Sequence, residues 1–191
     1  MHRHHFILFA LALLLLEAGV GCAHYTPRID PDDRLDPRSA YLYGRFRIEV
    51  KDSVLGMDSH ESMGFAFKCE NGSDYTIRFS NRKPLQVIRI KPSRCEFVEI
   101  VCTDADGVML KRVPVAPGAL HNRQFLPGRG YYLGDFYAKA NVQTTWELAT
   151  RIRWHWGITD VQNNYQVTTE IMKEKFRNLL LLPTEDRMLG Q

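Results

Sequence analysis

The sequence predicts an all-β fold: a two-sheet antiparallel β-sandwich of about seven to eight strands with one C-terminal amphipathic helix. Three observations predict it. Short runs of alternating apolar and polar residues recur from Tyr41 to Trp156, the period of strands with one face buried. Turn residues separate the runs, most clearly Asn71-Gly72. From Val167 onward the apolar spacing changes from two to that of a helix.

The elements follow in order. Leu42, Gly44, Phe46, Ile48 and Val50 alternate with Tyr41, Tyr43, Arg45, Arg47 and Glu49, which makes the first strand. Met63, Phe65, Phe67 and Cys69 form the second, and Tyr75, Ile77 and Phe79 return across the Asn-Gly turn. Leu85–Ile90 is a short β-rich run. Cys95–Thr103 is apolar on both faces, as expected of a central strand, and Asp104-Ala105-Asp106-Gly107 turns into Val108–Val115. Residues 116–129 are expected to be loop, and Tyr131–Ala138 another strand. Residues 145–156 are expected to be a single strand with Trp146, Leu148, Ile152, Trp154 and Trp156 on one face, a main part of the core. A helix is expected over about 167–181, capped by Thr168 or Thr169 and ended by Pro183. Its apolar face, Val167, Ile171, Met172, Phe176, Leu179 and Leu180, is expected to dock on the sheet.

The flanks state an address. His2, Arg3, His4 and His5 precede an unbroken apolar run, Phe6–Leu16, of 11 residues. That pattern is a secretory leader, too short to span a bilayer. The following Gly19-Val20-Gly21-Cys22 resembles the lipobox of bacterial lipoproteins, with Gly19 where Leu is usual. The resemblance implies cleavage after residue 21 and acylation of Cys22, a diacyl group usually joined by a third chain. Ala23 after the Cys is similar to outer-membrane sorting signals, so the expected location is the cell envelope, at the outer membrane. Cleavage after Gly21 or Ala23 as an ordinary secretory signal is the alternative. Residues 22–40, rich in Pro and Asp, are expected to be an extended tether; 41–182 the domain; and 183–191 a flexible tail.

Without residues 1–21, 170 residues remain with a formal charge of +3, ample for one core and too mildly basic to indicate nucleic acid. Beyond Cys22 the cysteines are Cys69, Cys95 and Cys102. Export permits a disulfide of Cys69 with Cys95 or with Cys102; three buried thiols are the alternative.

Ile90-Lys91-Pro92-Ser93-Arg94-Cys95-Glu96-Phe97 resembles the Pro-Gly-x-Tyr strand start of transthyretin-like and carboxypeptidase-regulatory-like sandwiches, with Ser93 for Gly and Cys95 for Tyr. Pro127-Gly128-Arg129-Gly130-Tyr131-Tyr132-Leu133-Gly134-Asp135 is similar to a second such start in bacterial lipoproteins with this kind of domain. The resemblance implies fold and envelope location and transfers no catalytic residue.

Enzyme signatures are missing from the sequence. There is no Gly-x-Ser-x-Gly, no phosphate loop and no Cys-x-x-Cys. His60-Glu61 lacks a second His at helical spacing. Gly128-Arg129-Gly130 leads into a strand, where a dinucleotide site needs a helix. Asp104, Asp106 and Gly107 would need a ligand at Cys102 to form a calcium loop, and Asp30, Asp32, Asp33 and Asp36 read as solvated linker. No catalytic residue, metal ligand or cofactor is therefore expected. A rival hydrolase would have to assemble His121, His155 and a carboxylate such as Asp135, and a small-ligand carrier would use the Trp/Tyr-rich interior as a pocket. The remaining histidines are His24 and His60. The candidate binding surface is basic and aromatic: Arg45 and Arg47 on the first strand, Arg151 and Arg153 on strand 145–156, and Tyr41 and Tyr43 at the edge. The guanidinium fork suits carboxylate or phosphate on an envelope protein, a cell-wall polymer or lipid headgroups.

Overall fold

The computed structural model describes residues 26–51, 62–80, 82–103, 109–115, 123–146 and 150–189, of which 50–51, 102–103, 109–111, 140–146 and 150–157 are described as backbone only. Among the described residues, strands dominate and form two packed sheets with one helix: an all-β sandwich with a C-terminal helix, not closed into a barrel.

The strands are β1 (Ala40–Lys51), β2 (Ser62–Cys69), β3 (Asp74–Ser80), β4 (Leu85–Ile90), β5 (Ser93–Thr103), β6 (Met109–Pro114), β7 (Arg123–Phe125), β8 (Arg129–Trp146), β9 (Thr150–Gln162) and β10 (Thr184–Asp186). The first sheet runs β4-β1-β8, and the far edge of β8 is shared by β10 at its start and β9 along the rest. The second runs β3-β2-β5, with β7 and β6 dividing the far edge of β5. Two pairings depart from the expected antiparallel pattern: β1 with β8 and β10 with β8 are parallel.

Alternation decides which residues meet. Leu42, Phe46, Ile48, Phe65, Phe67, Phe79, Phe97, Phe125, Tyr131 and Phe136 point between the sheets and form the inner core. Phe65 lies at its centre, with ring centroids 4.4 Å from Phe136, 5.3 Å from Phe97 and 5.7 Å from Phe79. On the opposite side of the first sheet, Tyr41, Tyr43, Val87 and Tyr132 meet Ile29, Met172, Phe176, Leu179 and Leu182 in an outer core. At Gly44 and Gly134 the β1 and β8 backbones approach so closely that a Cβ on Gly44 would lie 2.7 Å from the Gly134 carbonyl. Gly134 has φ 129°, open to glycine alone at little cost. The register shifts there, so Tyr43 faces Tyr132 but Arg45 faces Asp135.

The structure corrects five expectations. The single strand over 145–156 is two strands: β8 ends at Trp146, opposite Thr150, where β9 begins. Alternation of period two survives a reversal of direction, and Glu147-Leu148-Ala149 carries no Gly, Pro or Asn to mark one. The Trp146, Trp154 and Trp156 side chains lie outside the described residues. The tether expected over 22–40 is, from residue 26, part of the body. Thr26 N–H bonds the Thr76 carbonyl at 3.0 Å, Ile29 N–H the Val87 carbonyl at 3.0 Å, and Ile29 is buried. Backbone pairing and one buried Ile hold a segment too polar to make a core of its own. The tail expected over 183–191 supplies β10 and buries Leu189. The helix, α1, covers Tyr165–Lys175 and stops at Phe176 (φ −114°, ψ 78°), with a single 3-10 turn over Arg177–Leu179. Thr168 and Thr169 do not cap it: both are buried inside it, and Asn164 precedes it. Finally, two three-residue strands, β7 and β10, raise the number above the expected seven to eight.

Candidate functional site

Among the described residues, the cover over the first sheet's outer face lies at one end. Helix α1 and residues 26–39 seal the part where β1 and β8 begin, and beyond them a cleft of ≈ 460 Å³ opens, lined by Arg45, Arg47, Pro84, Asp135 and Tyr137 among others.

At the boundary stands Asp135, only 2% exposed. Its carboxylate lies 3.0 Å from the Tyr132 hydroxyl and accepts from the Thr168 hydroxyl at 2.9 and 3.0 Å and from the Asn164 amide at 3.3 Å. The Arg45 guanidinium lies 3.8 Å away. A buried carboxylate is costly unless charge and donors compensate it, and here they come from β1, β8 and α1 together. The Tyr132 hydroxyl also accepts from the Asn164 N–H at 3.1 Å. Burial, and then the nearby Asp135 charge, push the Tyr132 pKa far above the tyrosine value. Tyr132 is therefore a permanent neutral donor, and Asp135 is the pin that fastens the helix to β8.

What the cleft offers a ligand is narrower: an Arg47 side chain exposed beside an Arg45 already paired, and the Tyr137 ring one row along. That set suits a planar anion at modest strength.

The β1 and β9 positions of the expected basic surface lie apart along the sheet, and the Arg151 and Arg153 side chains lie outside the described residues. β8 lies between β1 and β9, about 10 Å across. Arg47 faces Tyr137 on β8, whereas Arg153 faces Gln143 and Arg151 faces Thr145, about 20 Å or more farther along. Arg45 is bound to a buried acid. Tyr41 and Tyr43 are not at an edge: both are fully buried, the Tyr41 hydroxyl accepting from the Asp36 N–H at 2.8 Å and Tyr43 bonded to the Thr169 hydroxyl. Sequence pattern alone could not see that the β1 polar face is capped at one end by the chain's own flanks.

Of the hydrolase constellation, the His155 and Asp135 positions stand apart. His155 faces Asn141 on β8, six positions and about 20 Å along the strand from Asp135, while His121 lies outside the described residues. So do Cys22, His24, His60, and the Asp104–Gly107 turn. Asp33 and Asp36 serve the backbone, Asp33 capping the Asp30 N–H at 3.0 Å and Asp36 the Arg38 N–H at 3.0 Å, while the Asp30 carboxylate lies 3.9 Å from the Arg28 guanidinium. Of the two disulfide alternatives, the structure has Cys69–Cys95, directly opposite on β2 and β5 with Cα atoms 4.0 Å apart. Cys102 faces Met63 and Lys111. Interior tyrosines are packed and hydrogen-bonded, Tyr131 accepting from the Leu126 N–H at 2.7 Å, so these rings fill space that a carrier would leave open. Among the described residues no helix is long and apolar enough to cross a membrane.

No protein-family model matches the chain, and no curated protein matches it.

Proposed function

We propose that this chain is a non-catalytic, lipid-anchored protein of the bacterial cell envelope, sited at the outer membrane, whose β-sandwich presents a surface to another envelope component. The observation that carries the reading is the leader that ends in Gly19-Val20-Gly21-Cys22, with Cys22 the cysteine nearest the start of the domain. Support comes from the Cys69–Cys95 bridge, a bond that persists in oxidising compartments. The presenting surface is the open half of the first sheet around Arg47 and Tyr137, with an acidic protein segment or anionic cell-wall polymer as its partner. The Arg45–Asp135 pair makes that face rigid rather than strongly charged.

Replacing Cys22 with Ser and fractionating the cells tests the anchor. The variant should leave the membrane fraction, and mass spectrometry of the native mature chain should show acyl groups on Cys22. Retention of the variant in the membrane, or an unacylated mature chain, refutes the reading. For the surface, Arg47→Glu should lower capture of the envelope partner in a pull-down and leave the thermal midpoint unchanged.

A further inference from the structure

Cys22 stands four residues before Thr26, and the fold shows where Thr26 is held. Arg28 pairs with Ile88 in an antiparallel bridge, and the Thr76 N–H bonds the Thr26 hydroxyl at 2.9 Å. β4 runs toward the end of the sandwich that it reaches at Ile90. An antiparallel segment traced backwards from Arg28 to Thr26 therefore heads for that same end. There β1, β5, β8 and β10 begin, β7 finishes and the β2–β3 hairpin turns. Four residues reach at most about 14 Å. An acyl group on Cys22 would accordingly be tethered close to this end of the domain.

A second observation, independent of Cys22, selects the same end. Five large apolar side chains are exposed among the described residues: Leu181 (88%), Leu180 (57%) and Leu126 (44%) lie there, and Val167 (55%) and Ile171 (36%) lie on α1. Leu180 and Leu181 sit just before Thr184, which opens β10 opposite Gly130, and Leu126 lies between the end of β7 and the start of β8. Single exposed leucines are ordinary, but three on adjoining loops at one end, two of them consecutive, make an unpartnered patch. Arg38, Lys91 and Arg177 are exposed around it. Cationic side chains flanking short apolar protrusions match the chemistry of a membrane interface: leucines for the acyl boundary, Lys and Arg for headgroup phosphates.

We propose that this end of the sandwich is a bilayer-contacting face, in which Leu180, Leu181 and Leu126 enter the headgroup–acyl boundary. The proposal rests on the anchor reading above and adds an orientation to it. The domain stands end-on to the membrane, and the Arg47–Tyr137 cleft, farther up β1 and β8, is turned away from the lipid.

The test uses the full chain, purified with its acylated Cys22, in phosphatidylethanolamine–phosphatidylglycerol vesicles with brominated acyl chains. In a Cys102→Ser background, an environment-sensitive nitrobenzoxadiazole label is placed at Leu181→Cys, at Leu126→Cys, or at Lys83→Cys in the turn between β3 and β4 at the opposite end. The expected result is a blue shift and several-fold stronger bromine quenching at the first two positions than at the third. Equal quenching at all three, or quenching only at Lys83→Cys, on a chain shown by mass spectrometry to be acylated and to float with the vesicles, overturns the orientation and leaves the anchor standing. A chain that carries no acyl group and does not float refutes the anchor and this proposal with it.

Discussion

The two cores of this protein are built from different rings for a physical reason. The inner core, enclosed by two sheets, is made chiefly of phenylalanine: Phe46, Phe65, Phe67, Phe79, Phe97, Phe125 and Phe136 bury no polar atom of their own side chains. In the outer core, between one sheet and the chain's flanks, three of the four buried rings are tyrosines, Tyr41, Tyr43 and Tyr132 beside Phe176, joined at the margin by Tyr165, and the tyrosine hydroxyls bond to Asp36, Thr169, Asp135 and Thr184. Two sheets satisfy their own backbones and need only apolar filling. A short helix and an irregular segment do not, so the rings beneath them also carry hydrogen bonds that hold the covering in place. The inner core is therefore expected to fail by loss of packing and the outer core by loss of a polar partner.

The largest effect should come from packing. Phe65→Ala removes a ring in contact with three others and should cost about 4 kcal/mol, read as a lower urea midpoint at unchanged slope. A loss under about 1 kcal/mol would mean that the sheets close over the gap. Reducing the Cys69–Cys95 bridge, with its sequence separation of 26, should cost about 3 kcal/mol through the freed unfolded chain, and Cys69→Ala with Cys95→Ala should reproduce it.

This contrast also explains what could be read in advance. β1 to β3 are legible because each alternates between a face toward the other sheet and a face away from it, β4 and β5 because they are short β-rich runs between turn residues, and Asn71-Gly72 marks a turn in which Gly72 has φ 76°. The Cys69–Cys95 pairing became determinate only with the β2–β5 register. The outer core was not legible. Residues 26–39 look like solvent-exposed linker because they bury little more than Ile29 and are held by main-chain bonds that composition does not reveal. Asp135 was conspicuous as a carboxylate, but its partners Asn164, Thr168 and Arg45 are distant in sequence and ordinary in type. The one usable signal was the Tyr131-Tyr132-Leu133-Gly134-Asp135 run, whose glycine in a strand marks a shift of register. Arg45 and Arg47 share a face as expected, yet Arg45 is paired with Asp135, and β8 lies between both of them and the β9 backbone.

Smaller effects should fall on the polar layer. Tyr132→Phe leaves Asp135 without one donor and the Asn164 N–H without its acceptor, and should cost about 2 kcal/mol. Hydrogen exchange should rise across α1 while the β2–β5 amides keep their protection; a uniform rise would show the two cores to be one cooperative unit. Alkali should act on the same layer. Burial raises the Tyr43 and Tyr132 pKa above the ordinary tyrosine value of 10.0, so both stay neutral in the folded chain. The stability tied to them is whole below that value and is lost as pH climbs past it, because the unfolded chain then releases protons that the folded one retains. Absorbance at the tyrosinate band should therefore lag in the folded protein and appear together with unfolding.

The mildest perturbation is acid, and it should touch only the covering segment. The Arg38 N–H, and then the Ser39 hydroxyl at 2.8 Å, hold the Asp36 pKa below the ordinary aspartate value of 3.8. A depressed carboxylate contributes stability above its unfolded pKa and loses it as pH falls through the lower folded value, so nothing should change from neutrality down to about pH 4. Below that, protonated Asp36 no longer ties Arg38 and Ser39, and the turn that presents the Asp36 N–H to the buried Tyr41 hydroxyl loosens. Amide exchange at residues 36–39 should quicken there before any inner-core amide responds, and Asp36→Asn should bring the same quickening to neutral pH without moving the global urea midpoint. If Asp36→Asn instead lowered that midpoint as far as Tyr132→Phe does, the covering segment would be as integral to the fold as the helix pinned by Asp135.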